Sequence, residues 1–162
     1  MTLGFTYIIT HRRGRRILSV ERVHNLMPIE GINHMFATEF HGGAQVATWY
    51  VFPFEGDYTP ISANVMATFP TLATECTAYD ETSRVVWVEG DPSAGAIDNV
   101  AAEAKFTMNL PKTLYGAGLS SASAKGSPAG VLGSATRFET PKVAAPGDEI
   151  FVTIPFELVS TV

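Results

Sequence analysis

Residues 5–23 read FTYIITHRRGRRILSVERV, and this stretch decides the fold because it predicts an antiparallel hairpin. Its two arms, residues 5–10 and 17–23, are rich in the β-branched and aromatic residues that are enriched in strands. Gly14 between them can adopt the positive φ that a tight hairpin turn requires. The stretch therefore predicts two paired strands joined by a turn within residues 11–16.

The turn of this hairpin concentrates positive charge in an acidic chain. Residues 1–24 carry a net charge of +4, whereas the remaining residues carry −9. Because the acidic remainder would repel a polyphosphate, we expect no direct contact with nucleic acid. The arginines at the tip are either simply solvated or contact an acidic surface of a partner protein. The candidate contact residues are Arg12, Arg13, Arg15 and Arg16.

The next segment predicts a helix. Apolar residues recur at helical spacing and form one stripe, which predicts a short α-helix around residues 31–41 with the stripe facing the core. The members of the stripe are Ile32, Met35, Phe36 and Phe40. His34 falls off the stripe and is expected to face solvent, and Gly42-Gly43 would end the helix.

The remainder of the chain predicts strands. Strand-like segments occupy residues 45–54, 84–89, 101–110, 112–120, 131–138 and 150–156. Strands at this spacing, separated by Gly- and Pro-containing turns, predict an all-β fold, mainly an antiparallel β-sandwich of the jelly-roll or immunoglobulin-like kind. At 162 residues with no long linker, the chain is expected to form a single domain over residues 1–162.

No catalytic, cofactor-binding or metal-binding motif stands out, so we expect neither enzymatic activity nor a cofactor. Cys76 is the sole cysteine and is interpreted as a small buried thiol. Two Glu-Gly-Asp turns, at residues 55–57 and 89–91, could hold a calcium ion if they folded together. Ordinary solvated turns are the alternative.

Targeting and membrane signals are absent from the sequence pattern. The apolar runs are far shorter than a membrane span. A secretory signal has its basic residues before its apolar stretch, whereas in this chain the first arginines come after the N-terminal apolar stretch. We therefore expect a soluble protein that is made in the cytosol, with no membrane partner.

Five segments carry a resemblance to a known group of proteins. They are HNLMPIEGINHMF (24–36), TWYVFPFEGDYTP (48–60), TFPTLATECTAYDETSR (68–84), AKFTMNLPKTLYGAGLSS (104–121) and GDEIFVTIPFEL (147–158). Together they make the chain resemble small structural proteins of the tailed-bacteriophage virion, in order from about residue 5 onward. The group is largely uncharacterised and supplies no catalytic residues.

The resemblance implies a non-enzymatic virion component. We expect a capsid decoration or cement protein that binds and stabilises the major-capsid lattice, as a homo-oligomer of two or three copies. The alternative is a structural protein of the tail or neck, such as a tube, completion or fibre-associated protein. A carbohydrate-binding or hydrolytic domain is the third possibility. Replacing all four tip arginines with serine is predicted to spare folding and weaken attachment to particles.

Overall fold

The chain folds as an all-β sandwich, as the sequence predicts. The computed structural model describes residues 4–158, in which ten strands form two antiparallel sheets. The strands are β1 (Gly4–Arg13), β2 (Arg16–His24), β3 (Tyr50–Phe54), β4 (Val85–Val86), β5 (Ala96–Ile97), β6 (Ala104–Thr107), β7 (Lys112–Ser120), β8 (Leu132–Ala144), β9 (Asp148–Thr153) and β10 (Phe156–Glu157). The helical elements are α1 (Ile29–Phe40), the single turn α2 (Phe69–Leu72) and a 3₁₀ turn at Val100–Ala102.

Strand β1 lies at the centre of the first sheet. Its residues 8–13 pair with both β2 and β9, so these two strands lie on opposite edges of β1. The sheet continues through β6 beside β9 and through β10 and β5 beyond the start of β1. Pro155 separates β9 from β10, because proline has no N–H to donate to a ladder. The predicted hairpin and the predicted final strand are both confirmed.

The second sheet has the order β4-β3-β7-β8 and depends on two glycines. Phe52 lies opposite Gly118, and Phe54 lies opposite Gly116. A Cβ at Gly116 would lie 2.0 Å from Phe54 Cζ, and one at Gly118 would lie 2.5 Å from Phe52 Cζ. The two phenylalanine rings therefore lie directly over the glycines of strand β7. Any larger residue at position 116 or 118 would displace the ring above it.

Two hydrophobic clusters bury the faces of these sheets. The larger cluster joins side chains of both sheets, including Ile9 and Val152 from the first and Val51 and Leu119 from the second. The smaller cluster lies around Phe52 and Phe54 together with Met66, Phe69, Ala73, Leu132 and Ala135. Strand β3 is thus buried on both faces, which explains why it reads as a continuous apolar run instead of an alternating one.

The predicted helix is confirmed, but its predicted stripe is only partly right, because Ile32 and Met35 are half-buried while Phe36 and Phe40 face solvent. Phe36 is 51% exposed and Phe40 is 83% exposed. The face that packs on β8 contains Gly31, where a Cβ would lie 2.6 Å from the carbonyl oxygen of Gly133. His34 was expected to face solvent, but it is half-buried, and its ring forms a T-shaped pair with Trp49 with centroids 5.7 Å apart.

Three predicted strands are shorter than the sequence pattern indicates. The segment predicted at residues 101–110 is reduced to β6, because the chain forms a 3₁₀ turn at Val100–Ala102 before it. Strand β3 begins at Tyr50, and residues 45–49 form an irregular segment beside the helix. Strand β4 contains only Val85 and Val86, which pair with the first two residues of β3. These two segments bury Trp87 and half-bury Val46, Trp49 and Val85, but they leave Val86 and Val88 exposed. An apolar run therefore does not by itself imply strand pairing. Within residues 4–158, no helix combines the length and apolar character needed to cross a bilayer.

A cationic hairpin tip as the candidate interaction site

The four candidate arginines lie at the tip of the β1–β2 hairpin. The turn consists of Gly14 and Arg15, and Gly14 has φ +55°, as a turn with glycine at its first central position requires. Arg13 and Arg16 form the last pair of the ladder. Arg15 and Arg16 are exposed and Arg12 is half-buried. The structure therefore brings all four arginines together, but it gives them different surroundings.

Arg13 is anchored to a buried carboxylate. Its Nε donates to Asp148 Oδ1 at 2.7 Å, and its Nη2 donates to Oδ2 at 2.8 Å. His11 Nε2 lies 2.8 Å from Asp148 Oδ2, and the backbone N–H of Ala145 donates to the same oxygen at 2.9 Å. The bonds from Arg13 outweigh burial and hold the pKa of Asp148 well below its usual range.

This anchoring corrects one sequence-based expectation. Four serines were expected to spare folding, but serine at position 13 would leave the Asp148 carboxylate buried without its bidentate partner. Arg13 is therefore a structural residue of the hairpin. The charge available to a partner belongs to Arg12, Arg15 and Arg16.

Arg12 lies on the outer face of the first sheet. Its guanidinium carbon stands 4.4 Å from the centre of the Phe151 ring, within the range of a cation–π interaction. Its Nε is buried and has no hydrogen-bond partner among residues 4–158. Stacking on Phe151 holds the guanidinium in place while at least one of its donors stays unused.

Exposed aliphatic side chains adjoin the arginines. On β2, Ile17 is 54% exposed, Leu18 is 37% exposed and Val20 is 61% exposed. Aliphatic and arginine side chains side by side are typical of surfaces that bind proteins. We refer to these six residues as the hairpin surface: Arg12, Arg15, Arg16, Ile17, Leu18 and Val20.

The one acidic residue of the hairpin does not neutralise this surface. The carboxylate of Glu21 accepts hydrogen bonds from the backbone N–H groups of Glu139 and Thr140 and from Lys142 Nζ. These contacts attach β2 to a bulged part of β8, where β7 leaves the backbone unpaired. Glu21 therefore attaches the hairpin to β8, and within residues 4–158 Arg12, Arg15 and Arg16 form no ion pair, unlike Arg13.

Of the two acidic turns, only the one at residues 55–57 forms ion pairs, while Glu89 and Asp91 of the other are exposed and form none among residues 4–158. Glu55 Oε2 lies 2.7 Å from Lys112 Nζ, and Asp57 Oδ1 lies 2.7 Å from an Arg137 nitrogen. Among residues 4–158, no three His, Cys, Asp or Glu side chains are grouped closely enough to hold a metal ion. Cys76 is buried, as predicted, and burial raises its thiol pKa to about 11, so the thiol is protonated at neutral pH.

The contacts of the buried charged residues, among them Asp148 and Arg84, could not be predicted from the sequence. Asp148 anchors the hairpin, and the guanidinium of Arg84 donates to Glu75, Ser120, Ala122 and Ser127. The signal for Asp148 was its place in the Ala-Pro-Gly-Asp turn before β9, but the turn does not reveal a partner 135 residues away.

Comparison of the chain with protein-family models, curated proteins and solved structures finds no match.

Proposed function

We propose that this chain is a non-enzymatic structural protein of a tailed-bacteriophage virion, where it decorates the capsid and binds the major capsid protein. The hairpin surface is the observation that carries the proposal, because it combines uncompensated arginines with exposed aliphatic residues on a fixed support. The resemblance of five ordered segments to virion proteins supports the setting in which this surface acts.

The hairpin surface suits a contact with an acidic ridge of a capsid lattice. Arg15 and Arg16 supply charge that steers the protein to its site and fixes its orientation. Ile17, Leu18 and Val20 supply apolar area for the centre of the contact. The net charge of −9 on the remainder of the chain disfavours binding to other acidic surfaces or to DNA.

Rigidity of the tip supports tight binding. The turn has only two residues, and the Arg13–Asp148 and Glu21–Lys142 pairs attach its two strands to the body of the protein. A surface that is already ordered loses little conformational entropy when it binds. Many identical copies bound in this way would join neighbouring capsid subunits.

Co-sedimentation with DNA-filled capsids that lack this protein tests the proposal. We expect saturable binding at hundreds of copies per particle, as a lattice role requires. The Arg15→Ser/Arg16→Ser variant should bind at least about tenfold more weakly, since two charge-assisted contacts are lost. The Lys112→Ser/Arg137→Ser variant loses the same charge elsewhere and should bind as the parent does.

Other outcomes would contradict this role in distinct ways. A dozen or fewer copies, or binding to tails alone, would assign the protein to the neck or tail instead of the capsid lattice. Equal binding by the Arg15→Ser/Arg16→Ser variant would exclude the hairpin surface as the contact. Absence of binding to any particle would contradict the virion role and favour a carbohydrate-binding or hydrolytic function.

A further inference from the structure

The outer edge of strand β2 is open along the half that follows the hairpin turn. Among residues 4–158, β2 pairs only with β1, and no other strand lies along its second edge. The later half of β2 is held against β8 by the carboxylate of Glu21. Residues 16–18 and Val20 are exposed. An exposed strand edge of this kind can pair with a strand from another molecule.

The register of the sheet shows which backbone groups of β2 point outward. The N–H of Thr6 donates to the carbonyl of the proline between β9 and β10, on the side of β1 opposite β2. Because the direction alternates along a strand, the backbone groups of Thr10 and Arg12 point to that same side. Their partners on β2 are Val20 and Ile17. These two residues therefore form non-hydrogen-bonded pairs with β1, and their N–H and C=O groups point away from it.

The side chains along this edge favour an acidic partner. Arg15 and Arg16 are exposed and form no ion pair within residues 4–158. Ile17, Leu18 and Val20 add exposed aliphatic area. A second copy of the chain is disfavoured as the partner, because antiparallel pairing of two β2 strands would bring two arginine clusters close together.

We infer that β2 binds a short extended segment of the major capsid protein, with alternating acidic and aliphatic residues, as an additional strand of the sheet. Backbone hydrogen bonds to β2 hold the segment, and its alternate side chains contact the arginines and the aliphatic residues of the hairpin surface. The bulge of β2 beside Leu18 limits the paired length and discourages indiscriminate pairing. The inference rests on the proposed function for the identity of the partner, and it specifies how that partner binds.

Amide hydrogen exchange of the ¹⁵N-labelled protein tests strand addition without capsids. The probe is a short capped peptide that alternates valine and glutamate, and the control peptide has lysine in place of glutamate. At saturation we expect the Ile17 and Val20 N–H groups to exchange at least about tenfold more slowly. The Glu21 N–H already pairs with β1 and should change little. The lysine peptide should bind at least about tenfold more weakly.

Three results of this experiment would overturn the inference. The first is unchanged exchange at Val20 with the glutamate peptide up to its solubility limit. The second is equal protection by both peptides, since the arginines would then contribute nothing. The third is protection that rises with protein concentration in the absence of peptide, which would identify a second copy of the chain as the occupant.

A matched pair of variants tests the same contact on capsids. Val20→Pro removes the outward N–H, which an edge strand tolerates, whereas Val20→Thr keeps the N–H and the branched shape. Val20→Pro should bind capsids roughly fivefold more weakly than Val20→Thr, since it lacks one backbone hydrogen bond. Equal binding by the two variants would overturn strand addition and leave the proposed function intact. If the peptide protects Val20 but the parent binds no capsid, the proposed function fails and strand addition stands.

Discussion

Asp148 illustrates how one buried residue can fix the orientation of an exposed hairpin. The carboxylate is buried, yet it stays charged because Arg13, His11 and the Ala145 N–H all surround it. Its partners come from the first strand and from the turn that precedes the ninth. The exposed arginines at the tip keep their position because a buried residue holds the strand beneath them.

We predict that Asp148→Asn lowers the Tm at neutral pH by roughly 5 °C, since the variant loses the charged partner of Arg13. The folded-state pKa of Asp148 is depressed, so its contribution is present above the unfolded pKa of about 3.9 and is lost as pH falls below it. Thermal melts of parent and variant from pH 7 to pH 2 should therefore converge under acid conditions.

A control separates this effect from general loss of carboxylate charge. Glu149 is adjacent to Asp148 but pairs with Lys105 at the surface, so Glu149→Gln should change the Tm little at any pH. A difference between parent and Asp148→Asn that is constant across pH would contradict the electrostatic explanation.

Buried charged residues were the part of the site that the sequence could not reveal. Arg84 is 1% exposed, and its guanidinium is fully engaged by groups between 9 and 43 residues away along the chain. From the sequence, Arg84 was expected to be a polar residue at the start of the strand predicted over residues 84–89. Burial of a charge depends on partners that only the folded chain brings together, so residue type and spacing carry no sign of it.

Helix α1 shows a comparable limit at the scale of an element. The spacing of its apolar residues predicted the helix, which begins at Ile29 and ends at Phe40. The packing face was decided by Gly31, a residue that contributes nothing to apolar periodicity. Helices approach closely where side chains are smallest, and so the contact with β8 formed there and left Phe36 and Phe40 exposed.

We predict that Gly31→Ala destabilises the protein by about 1–2 kcal/mol although alanine favours helices. The new Cβ would lie 2.6 Å from a carbonyl oxygen of β8, and neither backbone can move freely. Urea unfolding measures the effect. Phe40→Ser, at an 83% exposed position, should change stability by about 0.5 kcal/mol or less. The opposite ranking of these two variants would show that the predicted stripe does face the core.

The two faces of a strand were predictable where the pattern alternates, although β6 is shorter than the predicted segment at residues 101–110. In β6, Ala104 and Phe106 are buried while Lys105 is exposed, as the sequence indicated. In residues 45–49, Val46 and Trp49 are half-buried although this segment takes no part in the sheet. An apolar run without alternation is compatible with either arrangement, which explains the error at the start of β3.

At the scale of the whole molecule, charge is distributed as the sequence predicted. The hairpin surface is cationic, while the remainder of the chain is acidic. The all-β sandwich was also predictable, because strand composition and turn residues specify it locally. Three further statements remain predictions: the single domain, the virion setting and the homo-oligomer. The first concerns the organisation of the whole chain, and the other two concern partner molecules outside it.

We predict that binding to capsids weakens steeply as salt rises from about 0.05 M to 0.5 M, because screening shortens the reach of exposed charges. The dependence should be markedly flatter for Arg15→Ser/Arg16→Ser, which lacks the exposed charges of the turn. Co-sedimentation at a series of salt concentrations measures both slopes. Parallel slopes for parent and variant would indicate that the contact relies on other charges.

The central place of β1 in its sheet has a consequence for the order of events during synthesis. Arg13 leaves the ribosome long before Asp148, which follows 135 residues later. At usual translation speeds the interval is on the order of ten seconds. During this time the first hairpin has neither its anchor nor one of its neighbouring strands, and its apolar face stays accessible to chaperones. Strand β1 is therefore synthesised well before β9, and its pairing in the sheet is complete only after β9 has been made.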